Sequence, residues 1–436
     1  MTQLQNNPPP DAVLVPAAGL SSAITKNKAV ILAAMCLALF MTNFDGTAGD
    51  VALPQIQQEL GANISGVQWF LNAYHLPVAS LLLANGKFGD VFGRKRIFVL
   101  GLIAFTAASA LCGFASNLPM LITGRTLQGM GAAALLPLSL TILTATFPDH
   151  KVRAKAIGIW SAVSALAMVA GPGLGGLLVD TVGWHSIFWV NVPLGLITLL
   201  MTLSSVKKDK TPARQPLDWP GLLLSIASIA LLAYTLTHAH DGRWFSSQRL
   251  LLLGLTALSF GLFWVFELRS PHPVIPLALL KNRRFIPVCV TQTLVFFMSG
   301  GLFFILSLFL QHVQGYSATM TGLCFLPMNG AIIVASFASG WIAARLGWRF
   351  PILTGLVIVT VALLSLTRIG ISIEYSEILW TLVLAGFGGG LTIPTLAATA
   401  MNSVLPIQEG IASALSSISI QLGGILGIAI QGALFS

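Results

Sequence analysis

Charge is scarce in this sequence: Asp, Glu, Lys and Arg make up 8% of its 436 residues, against about 25% in an ordinary soluble domain. With 55% hydrophobic residues and a mean hydropathy of +0.85, a soluble fold would have too little polar surface to cover its apolar mass. Cysteine is also sparse. Cys36, Cys112, Cys289 and Cys324 all fall inside apolar stretches without metal-ligand spacing, so they read as small buried hydrophobes rather than a disulfide framework or a metal site. The N-terminus has no short apolar region followed by a small-residue cleavage site; residues 1–28, with a Pro-rich run to Pro10, read as a disordered cytoplasmic tail. No P-loop, metal-ligand cluster or nucleophile motif is present, which argues against an enzyme and against ATP-driven work.

What the chain has instead is a succession of apolar runs, each long enough to cross a hydrocarbon core of about 30 Å as a helix. A lipid-exposed segment must satisfy its own backbone hydrogen bonds, which favours helices over short alternating strands. The expected fold is therefore an all-α polytopic membrane protein. Thirteen helices are predicted near 29–50, 66–86, 97–116, 118–145, 154–178, 186–205, 219–238, 250–268, 285–310, 320–344, 350–369, 376–400 and 409–432.

The charges that do occur are unevenly placed. With a cytoplasmic N-terminus, outside loops hold only Arg243, Arg249 and Arg368, and Arg125 lies within a span. Every other one of the 23 basic residues is then on the inner side. This asymmetry orients the chain by the positive-inside rule and accounts for the net charge of +9 with membrane lipid, not nucleic acid, as the partner. The loops are short, so function must reside between the helices.

An internal repeat refines the plan. Gly86-Lys-Phe-Gly-Asp90-Val-Phe-Gly93-Arg94-Lys95-Arg96 follows the second helix, and Gly340-Trp-Ile-Ala-Ala-Arg345-Leu-Gly347-Trp-Arg349 follows the tenth. Both keep two glycines seven apart and a basic residue two past the second, the trace of duplicated six-helix halves as in rocker-type transporters. The expected organisation is an N-terminal six-helix bundle over 29–205, a linker with two inserted helices over 206–268, a cytoplasmic loop over 269–284 and a C-terminal bundle over 285–436.

On these residues the chain resembles the major facilitator superfamily, and within it the fourteen-span drug:proton antiporters. Asp45-Gly-Thr47-Ala-Gly-Asp50-Val-Ala-Leu-Pro54 is similar to the family's first-helix motif, with Asp50 where Asn is usual. Trp69 and Tyr74 match the second helix, the turn at Gly86–Arg96 resembles the superfamily's loop signature, and Arg125-Thr-Leu-Gln128-Gly129-Met-Gly131 matches the fourth helix. Gly158 and Gly171-Pro172-Gly-Leu-Gly175-Gly176 resemble the antiporter signature, although Ala167 replaces one glycine. Gly183-Trp184 with Asn191-Val-Pro193 fits the sixth helix, where His185 and Ser186 depart from the usual Arg-Trp pair. Leu217-Asp218-Trp-Pro220-Gly221 opens the inserted pair, and Gln421-Leu-Gly423-Gly424 with Gly427 resembles helix thirteen. The chain stops at Ser436, just after that helix, so the second half is expected to lack its last span, as in a truncated chain. The resemblance implies a monomeric proton-coupled antiporter of a bacterial cytoplasmic membrane. It would export amphipathic or cationic small molecules by alternating access, without a cofactor and with H+ as the coupling ion. The alternatives are a proton symporter importing a nutrient and a membrane sensor that transports nothing.

Site expectations follow from depth and chemistry. An ionised carboxylate in a span costs at least about 2.5 kcal/mol, so it faces a cavity or a partner. At about 1.5 Å per residue, Asp45 lies about 24 Å and Arg125 about 20 Å above the cytoplasmic edge. Asp45 is expected to carry the coupling proton, with Arg125 favouring the charged carboxylate when close and releasing it when moved away. Asp50, five residues further outward, joins this proton-coupling set; the simpler reading is an exposed acid at the end of the helix, the alternative a second protonation or cation-binding carboxylate. Gly171, Pro172, Gly175 and Gly176 are expected to form a kinked, closely packed hinge. Gly86, Asp90, Gly93 and Arg94 are expected to form a conformational switch, Asp90 pairing with Arg94 and capping a helix of the opposite half near Gln408 in the outward-facing state. Asn43, Trp69, Asn72, Tyr74, His75, Gln292, Phe296, Phe297 and Asn329 are polar or aromatic within spans and are candidates to line a substrate cavity.

Overall fold

A computed structural model describes residues 26–207, 218–237, 247–270, 279, 282–367, 375–404 and 409–435. Among them are thirteen long α-helices: α1 Lys26–Leu60, α2 Ile64–Phe92, α3 Arg94–Gly113, α4 Leu118–Thr146, α5 His150–Val182, α6 His185–Ser205, α7 Trp219–Thr237, α8 Ser247–Arg269, α9 Phe285–Leu308, α10 Ala318–Leu346, α11 Arg349–Leu366, α12 Tyr375–Asn402 and α13 Glu409–Phe435. Eleven of the described helices are long and apolar enough to cross a membrane, and α7 contributes a shorter apolar stretch, Trp219–Leu232.

The helices pack as two related bundles. In the first, α1 lies on α5, α2 on α4 and α3 on α4; in the second the equivalent pairs are α9 on α13, α10 on α12 and α11 on α12. The two repeat turns agree in backbone detail as well. Gly93 and Gly347 both take positive φ, +100° and +82°, a conformation that favours glycine. Each donates its N–H to the carbonyl four residues back, on Gly89 and Ala343. The inserted α7 and α8 pack on each other, with α7 lying against both α2 and α13. Leu222 and Ile229 of α7 share a core with Val78 and Leu82 of α2 and Ile418 and Ile425 of α13.

Two boundaries differ from expectation for physical reasons. The first helix does not end at residue 50 but runs on to Leu60 through Pro54. Proline lacks an N–H, which leaves the carbonyl of residue 50 without its helical donor. Ser307 of α9 supplies one, its Oγ donating to Asp50 O at 2.7 Å, and Gln311 Nε2 donates to the next carbonyl, Val51 O, at 3.1 Å. Gln311 sits in a π-helical turn, Phe309–Val313, that continues α9. Asp50 is thus well inside a helix, which corrects its reading as an acid at a helix end. The second helix likewise continues past residue 86 to Phe92, leaving Gly93 alone between α2 and α3. Gly89 is a packing residue rather than a turn residue, since a Cβ there would come within 2.4 Å of Leu138 Cδ2.

The bundles meet along two pseudo-equivalent seams, α2 with α13 and α5 with α10. Hydrogen bonds between the halves gather at the end where α1 and α5 finish. Besides Ser307 and Gln311, His312 Nε2 lies 3.3 Å from Gln57 Oε1, and Gln68 Nε2 donates to Ile428 O at 3.1 Å. Asp180 accepts from the N–H groups of Ala318 and Thr319, at 3.1 and 2.7 Å, capping α10. The same end brings bare backbones together: a Cβ on Gly322 would lie 2.1 Å from Pro172 O, and one on Gly176 2.3 Å from Ala318 O. Towards the opposite end, which carries Arg94, Lys155 and Arg345, the facing stretches of α5 and α10 are largely exposed, including Gly158, Ile159, Leu166, Gly340 and Trp341.

A buried carboxylate with three donors

Asp45 of α1 and Arg125 of α4 are fully buried and form a salt bridge through Oδ2 and Nη1. The other carboxylate oxygen, Oδ1, accepts from Gln128 Nε2 at 2.8 Å and from Asn191 Nδ2 of α6 at 2.9 Å. Gln128 is three residues from Arg125, one turn along the same face of α4. Its amide is fully used: Oε1 accepts from Arg125 Nη1 at 2.8 Å, and Nε2 also donates to Ser109 Oγ of α3 at 2.9 Å. Helices α1, α4 and α6 therefore meet at one carboxylate, and α3 is tied to it through Gln128.

The guanidinium is enclosed by rings. Its carbon lies 4.4 Å from the Tyr74 ring centroid, 4.8 Å from Phe70 and 5.7 Å from Phe188, distances at which a cation is attracted to an aromatic face. Arg125 Nη2 and Asn191 Oδ1 are buried without a hydrogen-bond partner among the described residues. The rings take over where hydrogen bonds are missing. Gly129 makes this enclosure possible, because a Cβ there would lie 2.3 Å from Tyr74 O and would push α2 away from α4.

The structure thus brings Asp45 and Arg125 together, as depth alone suggested, and adds Gln128, Asn191, Ser109, Phe70 and Phe188. Gln128 and Asn191 lie within quoted motifs, but nothing in their spacing shows that both donate to the same oxygen. Asp50 stands apart from the pair. At 100° and 1.5 Å per residue it is about 140° around α1 and about 7.5 Å further along it; it is half-buried, and no described residue donates to its carboxylate.

The glycines of the fifth-helix signature lie between α1 and α10. Cβ atoms on Gly171 and Gly175 would strike Thr47 and Ala48 of α1, while Gly176 faces Ala318 and Pro172 O faces Gly322 of α10. At the first repeat turn, Gly86 is half-buried within α2, Gly93 supplies the positive φ and Arg94 opens α3. The side chain of Asp90, and residues 405–408, lie outside the described residues, and with them the expected cap near Gln408. Lys95, which carried no role in the sequence, donates from Nζ to Leu203 O at 2.9 Å and also to Val206 O, fastening the start of α3 to the end of α6.

The candidate cavity residues separate into groups. Tyr74 belongs to the wall around Arg125 and donates its hydroxyl to Thr42 O at 3.2 Å. Trp69 faces the inserted pair, its ring 5.7 Å from that of Tyr234 of α7, which corrects its placement on a cavity. His75 Nδ1 lies 2.9 Å from Gln421 Oε1, joining the halves along the α2–α13 seam. Asn43 donates to Ser164 Oγ at 2.9 Å, and Gln292 accepts from Ser416 Oγ at 3.0 Å. Phe296 and Phe297 sit at the crossing of α9 with α13, against Gly423 and Gly427. Asn72 and Asn329 are buried, and Asn329 Nδ2 has no partner among the described residues.

Comparison with known proteins agrees with this architecture. The family profile described as Major Facilitator Superfamily matches residues 35–428. "Multidrug resistance protein Stp" of Mycobacterium tuberculosis (strain CDC 1551 / Oshkosh) is 34% identical over 416 residues, covering 95% of this chain and 77% of that protein. "Methylenomycin A resistance protein" of Bacillus subtilis (strain 168) is 33% identical over 92% of this chain and 86% of its own length. "Tetracenomycin C resistance and export protein" of Streptomyces glaucescens is 32% identical over 93% and 75%. Among solved structures, a bacterial homolog of the human lysosomal transporter Spinster, described as inward-facing and occupied, superposes with a TM-score of 0.62 at 19% identity, over 94% of this chain and 82% of that one. With α4 and α6 closing on Asp45 of α1, two equivalent bundles and these relatives, the chain belongs to the major facilitator superfamily, as a membrane transporter related to drug efflux pumps and not an enzyme.

Proposed function

We propose that this protein exports hydrophobic or cationic small molecules across a bacterial cytoplasmic membrane in exchange for protons, by alternating access. The observation that carries this reading is the buried Asp45 carboxylate, held by Arg125, Gln128 and Asn191. Donors around a carboxylate favour its charged form, and their withdrawal favours the neutral acid. The donors come from α4 and α6 while the carboxylate rides on α1. A shift of α1 within the first bundle therefore exchanges the ion pair for a neutral acid.

With the N-terminus in the cytoplasm, as the uneven basic residues suggest, the end where hydrogen bonds join the halves is the outer one and the exposed ends of α5 and α10 face inward. In this state the molecule is closed outside and open inside, poised to take a solute from the cytoplasm or inner leaflet. Glycines on α5 that admit α1 on one side and α10 on the other link the proton-carrying helix to the outer closure.

The test is transport by purified protein in liposomes carrying an imposed pH gradient. Wild type is expected to drive uphill dye movement that collapses with an uncoupler. Asp45→Asn is expected to abolish gradient-driven movement while leaving downhill exchange. Uphill export by Asp45→Asn would remove the proposal, and accumulation in the same direction as the protons would mark a symporter.

A further inference from the structure

The inserted pair is tied to the first half by charge as well as by packing. Asp218 caps α7, its Oδ1 accepting from the Gly221 N–H at 3.0 Å. Glu267, two residues before the end of α8, is a buried carboxylate. The two acids meet over the bare backbone of Gly221, where a Cβ would lie 2.7 Å from Asp218 Oδ2 and 3.2 Å from Glu267 Oε2. Acids this close call for a cation. Lys87, half-buried at the inner end of α2, lies within reach of both charges.

Rings extend the attachment. Trp219, next to Asp218, packs on Phe88, next to Lys87, with centroids 5.9 Å apart. At the other end of α7, Tyr234 lies 5.7 Å from Trp69. At about 1.5 Å per residue, Trp69 and Phe88 hold α7 at two points about 28 Å apart along α2. α8 goes with α7, since Ser228 Oγ lies 2.8 Å from Ser259 Oγ and Thr235 Oγ1 3.3 Å from Thr256 Oγ1, both pairs buried between the two helices. Towards α13 the contact differs in kind. There Leu222 and Ile229 share an apolar core with Ile418 and Ile425. Packed apolar helices slide past one another in small steps, whereas parting a buried ionic cluster strands charge.

We propose that the inserted pair is a fixed part of the first half, clamped to α2 where Lys87 meets Asp218 and Glu267, and that α13 slides along α7 when the halves rock. The moving bodies are then the eight helices α1 to α8 against the five from α9 to α13. Lys87 also belongs to the first repeat turn, six residues before Gly93. Asp218 and Glu267 are therefore positioning residues for that turn, acting through Lys87 on the end of α2. This inference takes alternating access from the export reading and adds which helices travel together.

The experiment is cross-linking of the purified full chain in liposomes with a short bifunctional thiol reagent, with dye transport measured before and after. The pair Trp69→Cys/Tyr234→Cys joins α7 to α2, and the pair Leu222→Cys/Ile418→Cys joins α7 to α13. Linking the first pair is expected to leave transport within about twofold of the unlinked protein, and linking the second to lower it by about tenfold or more. Transport stopped by the first link, or left running by the second, would overturn the proposal. A further arm reads the clamp without transport. Adding Glu267→Lys to the first pair is expected to slow its linking by about tenfold, and adding Lys87→Glu as well to restore it. A linking rate that Glu267→Lys leaves unchanged, or that the charge swap does not restore, would equally remove the clamp. Because this arm needs no dye movement, its failure is separate from failure of the export reading.

Discussion

The central residue is a carboxylate whose surroundings are almost completely satisfied. Removing one member of a buried pair leaves an uncompensated charge, at a cost of about 3–5 kcal/mol. Arg125→Ala is therefore expected to lower the melting temperature strongly. Adding Asp45→Asn to it should recover much of that loss, since the stranded charge is gone, while gradient-driven transport stays absent. A thermal shift series on the two single variants and the double variant checks this. Stability that does not recover in the double variant would place the role of Arg125 in packing against Phe70, Tyr74 and Phe188 rather than in holding the acid. Gly129 is a second sensitive point. A Cβ there would lie 2.3 Å from Tyr74 O, so Gly129→Ala is expected to cost about 1–3 kcal/mol, the usual range for overpacking, seen as a lowered melting temperature.

At the scale of elements, α1 and α9 are joined through the Asp50 carbonyl, which Pro54 leaves without a helical donor, and through the next carbonyl, Val51 O. A neutral hydrogen bond contributes about 1 kcal/mol net, so the double variant Ser307→Ala/Gln311→Ala, which loses two, is expected to shift the balance away from the closed outer end by about thirtyfold. A second lever in the same direction is on the α5–α10 seam. Gly322→Ala would put a Cβ 2.1 Å from Pro172 O and is expected to hold α5 and α10 apart, favouring the state open at that end. Distances between spin labels on the far ends of α5 and α10, measured with and without each change, report both; unchanged distance distributions would count against the seam as the closure. The same contacts explain what the sequence could not disclose. Asp45 and Arg125 were legible from charge in apolar runs and from a depth count, and the repeat was legible from Gly93 and Gly347. The cross-half bonds end on the backbone of Asp50, Val51 and Ile428, and a carbonyl has no letter in the sequence. The first helix, expected near 29–50, runs on through Pro54, and the gap this proline leaves is filled from the other bundle. Gln128 and Asn191 were visible only as members of the fourth- and sixth-helix motifs, because their convergence depends on how α4 and α6 rotate about α1.

For the whole molecule, the uneven placement of basic residues sets the expected orientation. A reporter active only in the cytoplasm, fused within residues 207–218, should be active, and the same reporter within 238–249 should be silent. The reverse pattern would turn the molecule over and with it the assignment of the open end. The two seams between the halves are related by the internal repeat, yet the inserted helices break their equivalence. α7 lies along α2 and α13, with Tyr234 against Trp69 and Trp219 against Phe88. Among the described residues neither α7 nor α8 lies along the α5–α10 seam, and α10 presents Val334, Phe337 and Trp341 outward, Phe337 at 82% exposure. The repeat alone would make the two flanks of the molecule alike. The inserted pair makes them unequal, one flank lined by α7 and the other bordered by α10.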